Sequence, residues 1–354
     1  MKAVPQIYLI GDLQMSITIS HIAAAAGVSQ TTVSRVLNNS SYVKEETKEK
    51  VLKVIKELNY TPSAIARSLS TNKTNTIGVI VPDINNPFFG EIIKGISEVA
   101  DEHNLNVILC DADENISKEL KALKFLKEQR MQGIIITPTS VEDKLIKEYL
   151  SILGTMNIPI ILLEGHVKYP KFSGVFINNI NGAYMATEAL IKEGHKKIAI
   201  ITGRINSQGA KDRLEGYKKA LCDHNIALDE KYIFYGDYKL ESGYICTKEI
   251  LKIKNRPSAI FVNNNMMTLG CIKALKEEEI SIPKDMALIG FDNLEILNIL
   301  GMNISYVSSP TIEIGKQSMK MLISDLNNND KRKTKNLTLM PELVLKGSEK
   351  KIII

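Results

Sequence analysis

Between Gln30 and Asn38, helical spacing puts Gln30, Thr31, Ser34, Arg35 and Asn38 on one side and Val33, Val36 and Leu37 on the other. A short polar face of this kind holds what is needed to read base edges in a DNA major groove: a guanidinium for guanine, an amide for adenine, a threonine methyl for thymine. A solvated helix face is the alternative reading of the same residues. A second set of chemistry-bearing residues lies downstream, where strand-length apolar runs end in Asp83, Asp111, Thr137, Glu164, Asn178, Thr202, Asn264 with Asn265, and Asp292. Parallel sheets bind ligands outside the carboxyl ends of their strands, so these residues are candidates for one crevice. Ordinary loop polarity competes as the explanation for about half of them.

The elements that must position the first face are legible on either side of it. Ile19, Ile22, Ala23 and Ala26 form an apolar helix stripe after a Thr18 N-cap. Gly27-Val28-Ser29 supplies a tight turn with a serine cap, and Glu45 to Leu58 reads as a third helix with acids in its first turn. Its expected inward stripe is Val51, Leu52, Ile55 and Leu58. The second set rests on apolar runs alternating with helical segments: 77–81, 107–110, 134–136, 160–163, 175–177, 198–201, 260–262 and 287–291. That alternation predicts parallel βαβ units. The expected fold is an α-helical helix-turn-helix headpiece followed by an α/β core of two doubly wound parallel-sheet lobes facing a cleft.

Between these parts, residues 60–69 combine a proline start with a helix too short to be stable without a partner, which marks a linker. The expected organisation is an N-terminal extension at 1–15, a DNA-binding module at 16–60, a linker at 61–74 and a core at 75–354. Met15 precedes the first patterned helix, so the extension is read as the product of a start assigned too far upstream.

Charge is distributed unevenly. Residues 1–74 carry nine Lys or Arg against five acids, which leaves +4 there and +1 in the remainder of a chain whose net charge is +5. A basic module on a near-neutral body suits a polyanion partner. Cys110, Cys222, Cys246 and Cys271 lack paired spacing and read as reduced core thiols, so no disulfide, zinc site or cofactor is expected. The apolar run Ile7–Ile10 is too short for a signal peptide or a membrane span, and a cytoplasmic, non-membrane protein is expected. An enzyme is disfavoured: no G-x-G-x-x-G follows a strand run, residues 203–211 fail the phosphate-loop spacing, and the five histidines are scattered. His195 is expected to cap the turn before its strand.

Residues 23–38, AAAAGVSQTTVSRVLN, resemble the headpiece of the lactose and galactose repressor family, and the resemblance extends through segments of the core. Among these are 77–83 with Asn86-Pro87-Phe88-Phe89, Gly194 to Ile198, Arg213 to Tyr217, and Ile289 to Asp292. By that resemblance Gln30, Thr31 and Arg35 contact bases, while Ser29, Thr32, Ser34 and Asn38 hold phosphates. Leu69 falls where the family's hinge helix pushes a leucine into the minor groove. By the same resemblance the core is expected to be periplasmic-binding-protein-like, with Phe88, Phe89, Arg213, Asn265 and Asp292, joined by the strand-end Glu164, around a small polar effector, most simply a sugar or sugar derivative.

Four departures accompany the resemblance. His21 stands where an acid would complete a capping box with Thr18, and Lys44 replaces the usual cap of the third helix, so both caps are expected to be weakened. Asn265 replaces a common Asp, and Ser207 stands where purine-responsive relatives carry Arg. The expected partners are a pseudo-palindromic operator, a second copy of the chain and the effector. Control by a phosphorylated protein partner, and a solute-binding protein without regulatory role, are the competing readings.

Overall fold

The computed structural model describes residues 17–38, 42–60, 74–140, 144–155, 158–164, 172–327 and 334–352. Leu69, most of the linker and the N-terminal extension lie outside the described residues. The chain forms two compact units, 1–74 and 75–354.

The first unit is built from α1 (Ile19–Ala26), α2 (Gln30–Asn38) and α3 (Glu45–Glu57). Ile22, Ala23, Ala26, Val33, Val36, Val51 and Val54 close one small core. Burying each of the larger aliphatics contributes about 1.5–3 kcal/mol. Gly27 ends α1 in the left-handed region at φ 65°, where a side chain would be strained. Two expectations are corrected. Leu52 and Leu58 are exposed, because the inward stripe runs through Val51, Val54 and Ile55, and Leu52 lies one position off it. His21 does not weaken the α1 cap: its Nδ1 accepts the Thr18 N–H at 3.3 Å, the reach-back otherwise made by an acid.

The second unit has two lobes. In one, strands β1 (Thr76–Val81), β2 (Asn106–Asp111), β3 (Gly133–Ile136), β4 (Ile160–Leu163), β5 (Ser173–Ile177) and β11 (Asn336–Leu339) lie in the order β11-β5-β4-β3-β1-β2. Every pair in that sheet is parallel. In the other, β6 (Ile198–Thr202), β7 (Ile233–Tyr235), β8 (Ala259–Val262), β9 (Ala287–Phe291), β10 (Ser305–Ser308) and β12 (Glu342–Val344) lie in the order β12-β10-β9-β8-β6-β7. Only β12 runs antiparallel there. The chain passes between lobes after β5, β10 and β11, and the first and last crossings touch, with Asn178 N–H donating to Leu339 O at 2.9 Å.

Helices α4 (Pro87–Glu102), α5 (Ile116–Glu128), α6 (Lys144–Thr155) and α12 (Thr311–Asn327) cover the first sheet. The second is covered by α7 (Asn179–Lys192), α8 (Gln208–Asp223), α9 (Leu240–Lys252) and α10 (Asn265–Glu277). The central strands are buried on both faces, which is why they read as continuous apolar runs. Close approach of α4 and α12 requires glycine: a Cβ at Gly95 would sit 2.1 Å from Ile312 O, and one at Gly315 2.1 Å from Ile92 O.

All four cysteines are free, but only Cys246 and Cys271 are core thiols, their pKa values pushed by burial up to about 11 and about 12. Cys222 is exposed and Cys110 half-buried on the edge strand β2, which corrects the expectation of four core positions. Among the described residues, no helix is long and apolar enough to cross a membrane.

Candidate functional site

On the first unit, α2 turns Val33 and Val36 into the core and leaves Gln30, Thr31 and Arg35 exposed, with Thr32 and Ser34 half-buried. Ser29 caps the helix: its Oγ accepts the Thr32 N–H at 3.1 Å and lies 2.9 Å from Thr32 Oγ1. The side chain of Asn38 lies outside the described residues. The exposed set joins hydrogen-bond donors and acceptors to one guanidinium on a rigid, capped scaffold.

In the second unit, a cleft enclosing about 680 Å³, part of it open to solvent, lies where the carboxyl ends of the two sheets face each other. Its walls come almost wholly from segments that follow strands. Asn86, Phe88 and Phe89 follow β1, Glu114 follows β2, Thr137 to Thr139 follow β3, and Glu164 follows β4. The facing lobe contributes Arg204 and Ser207 to Gly209 after β6, Tyr238 after β7, Asn264 after β8 and Asp292 after β9, with Arg213 from α8. Both sheets reverse strand order there, between β1 and β3 and between β6 and β8, which opens the crevice.

Arg213 is held rigidly. Its Nε donates to Asn179 Oδ1 at 2.8 Å, a terminal nitrogen donates to Asn263 O, and the guanidinium lies 3.7 Å over the Phe291 ring. Its other terminal nitrogen is 3.8 Å from Glu164 Oε2. Burial pushes the Glu164 carboxyl up to about 7, with Arg213 opposing and the Asp292 charge adding to the rise. Burial likewise raises Asp292, whose Oδ1 accepts from Ser309 Oγ at 2.7 Å, while Arg213 and Ser309 favour its charged form. Glu164 and Asp292 both hold left-handed backbone, φ 57° and 67°, which aims loop residues into the cleft at a conformational cost.

Apolar faces and unsatisfied polar atoms share this space. Phe88 and Phe89 pack edge to face at 5.1 Å and join the core of their lobe. Thr137 Oγ1, Thr139 Oγ1 and Glu164 Oε1 are buried without a hydrogen-bond partner. Glu119, fully buried on α5, accepts the Thr139 N–H at 2.7 Å and so fixes the loop that presents both threonines.

The cleft therefore brings together Phe88, Phe89, Glu164, Arg213 and Asp292. Asn265 is not among the lining residues; it is fully buried, and its Nδ2 donates to Asn86 Oδ1 at 2.9 Å across the lobes. Of the polar strand-end residues, Thr137, Glu164, Asn264 and Asp292 reach the cleft, whereas Asn178 caps α7 and Asp83 holds its own turn. His195 does more than cap a turn: its ring bonds Ser258 Oγ at 2.8 Å and Glu349 O at 3.1 Å, tying three segments together. Sequence reasoning missed Glu114, Thr139, Arg204 and Tyr238. Tyr238, whose hydroxyl lies 2.8 Å from Ser207 Oγ, follows a strand that was itself unrecognised.

Comparison with known proteins matches both units. The family described as "Bacterial regulatory proteins, lacI family" matches residues 18–63, and "Periplasmic binding proteins and sugar binding domain of LacI family" matches residues 74–344. The chain is 37% identical over 314 residues to the HTH-type transcriptional regulator RegA of Clostridium saccharobutylicum, covering 88% of this chain and 93% of the relative. It is 34% identical over 333 residues to the HTH-type transcriptional repressor PurR of Vibrio atlanticus, covering 94% and 98%. The lac repressor dimer bound to operator and the anti-inducer ONPF aligns with a TM-score of 0.83 at 26% identity, covering 94% of this chain and 99% of that one. A helix-turn-helix unit of this sequence, joined to a two-lobed parallel-sheet core, places the chain in the LacI family of bacterial transcriptional regulators.

Proposed function

We propose that the chain binds a pseudo-palindromic operator as a homodimer, in the cytoplasm, and represses transcription under control of a small sugar-like effector held in the cleft. Gln30, Thr31 and Arg35 read bases; Ser29, Thr32, Ser34 and Asn38 set register on phosphates; Leu69 wedges the minor groove. The observation that carries the effector reading is the set of buried, unpartnered oxygens of Thr137, Thr139 and Glu164 beside Phe88 and Phe89. Unmet buried hydrogen-bonding groups cost about 1–3 kcal/mol each, a cost that a ligand's hydroxyls relieve, while the aromatic faces cover its carbon skeleton.

Hydroxyls suit this wall because each donates or accepts as required. Glu164 Oε1 and the carboxylate of Asp292 accept, and Arg213 donates. Asn265 acts on the effector through Asn86 and the first turn of α4, without touching it. Closure of the lobes on the effector shifts the headpieces through the linker, a coupling of about 1–3 kcal/mol. Operator fragments selected from genomic DNA by the purified protein, then titrated by fluorescence anisotropy with and without sugars, test this reading. The expected result is nanomolar-range binding to one palindrome class, changed roughly five- to 150-fold by one sugar. Selection of no palindrome, or affinity indifferent to every sugar, would sink it.

A further inference from the structure

We propose that the turn 112–115 is an electrostatic latch that holds the two lobes closed at the rim of the cleft. Asp113 and Glu114 are consecutive non-glycine residues in the left-handed region, φ 44° and 54°, a conformation that must be held by its surroundings. Local bonds hold it: Asp113 N–H donates to Asp111 Oδ1 at 3.1 Å and Asn115 N–H to Ala112 O at 2.8 Å. What the turn achieves is to present two adjacent carboxylates toward the facing lobe.

There each meets a cation. Asp113 Oδ1 accepts from Lys239 Nζ at 2.9 Å, while its Oδ2 accepts from Lys118 Nζ of its own lobe at 2.8 Å. The Glu114 carboxylate pairs with Arg204, and the same guanidinium donates to Glu114 O at 2.9 Å. Lys239 and Arg204 stand in the segments after β7 and β6, so two neighbouring residues of one lobe grip two loops of the other. Glu114 and Arg204 also form part of the cleft wall, and a ligand entering between them must part them. Arg204 Nε is buried without a partner, which leaves one donor of the latch free for a ligand oxygen once the lobes close again.

The latch differs in kind from the second tie between the lobes. Asn265–Asn86 is a buried neutral pair and is insensitive to salt, whereas the Lys239–Asp113 pair is about half exposed and screened within a Debye length. Salt therefore weakens the Asp113–Lys239 arm of the latch, while the mostly buried Glu114–Arg204 pair and the Asn265–Asn86 tie are screened far less. Closure is measured without ligand, so this inference and the effector reading fail separately.

Hydrogen exchange followed by mass spectrometry on the full chain tests it, at about 0.05 M and about 0.5 M NaCl, where the Debye length falls several-fold. In the wild type, the amides of Thr137, Thr139 and 207–209 are expected to exchange several-fold faster at the higher salt. Glu114→Gln should exchange fast at both, and Glu114→Arg combined with Arg204→Glu should restore slow, salt-sensitive exchange. Unchanged protection of β8 and β9 shows that each variant is folded. Cleft exchange indifferent to salt and to Glu114→Gln, or a charge swap that restores nothing in a folded chain, overturns the latch.

Discussion

Asn265 reaches across the base of the cleft to Asn86: one carbonyl oxygen, Asn86 Oδ1, accepts both the Asn265 amide at 2.9 Å and the Phe88 N–H at 3.0 Å. The N-cap of the helix bearing Phe88 and Phe89 is thus also the tie to the facing lobe. An Asp at 265 cannot donate when ionised and would face that oxygen with a charge.

Asn265→Asp is accordingly expected to lower stability to urea by about 1–3 kcal/mol at neutral pH, the cost of an unpaired buried group. The deficit relative to wild type should shrink as pH falls and the new carboxyl protonates, regaining a donor. Equal urea midpoints for the two proteins at neutral pH would show that the amide tie contributes nothing.

Glu164 makes stability fall as pH rises toward and through neutrality. Its folded pKa, raised by burial to about 7 from an ordinary 4.5, means that the folded state holds the proton more tightly. This contribution is fully present below about 4.5 and is lost as pH rises through about 7, amounting to up to about 3 kcal/mol. Glu164→Gln should remove that slope in a urea series across this range. A slope the substitution leaves unaltered would contradict the assignment.

His195 works in the opposite sense. Burial depresses its pKa, opposed by the Glu349 carbonyl, so the unfolded chain takes up the proton first. Stability is fully present above the unfolded value of about 6.5 and falls as pH drops below it. His195→Gln should flatten this acid-side loss, read from thermal melts between about pH 7 and pH 5 with the Glu164→Gln background separating the two slopes.

The helix pair at Gly95 and Gly315 gives a packing test. Neither backbone carbonyl facing these glycines can withdraw without moving a helix, so Gly315→Ala is expected to cost about 1–3 kcal/mol. Gly90, where a Cβ meets nothing within 4 Å, serves as the matched control, and Gly90→Ala should not destabilise. Similar urea midpoints for the two alanine variants would refute the close approach.

The eight strands legible in the sequence are those whose apolar runs were long enough to stand out from their flanks. β7, β10, β11 and β12 were not seen: polar residues interrupt β10, β11 and β12, and in β7 only Ile233 is buried. β7 and β2, β11 and β12 lie at sheet edges, where one side needs no apolar cover. Phe88, Phe89, Glu164, Arg213 and Asp292 were legible because family resemblance or a strand end marked them. Glu114, Arg204 and Tyr238 gave no such signal, since their placement depends on how loops from different strands meet. Asn265 shows the converse: a position beside a strand end whose rotamer, set by Asn86, takes it out of the wall.

On α2, replacing Arg35 by Ala is expected to cost about 1–3 kcal/mol of operator affinity at one base position and to relax specificity there. Uniform weakening across all sequences, measured with a set of single-base operator variants, would instead make Arg35 a phosphate contact.

The most direct test of the central claim is thermal melting of the wild type and of Arg213→Ala against sugars, sugar phosphates, nucleobases and nucleosides. A ligand at about 100 times its Kd stabilises by about 2.7 kcal/mol, a shift of a few degrees for a chain of this size. A sugar or sugar derivative is predicted to raise the wild-type Tm, and the rise should vanish in Arg213→Ala measured against its own unliganded Tm. No shift from any class, or equal shifts in both proteins, would contradict a cleft built to hold the effector.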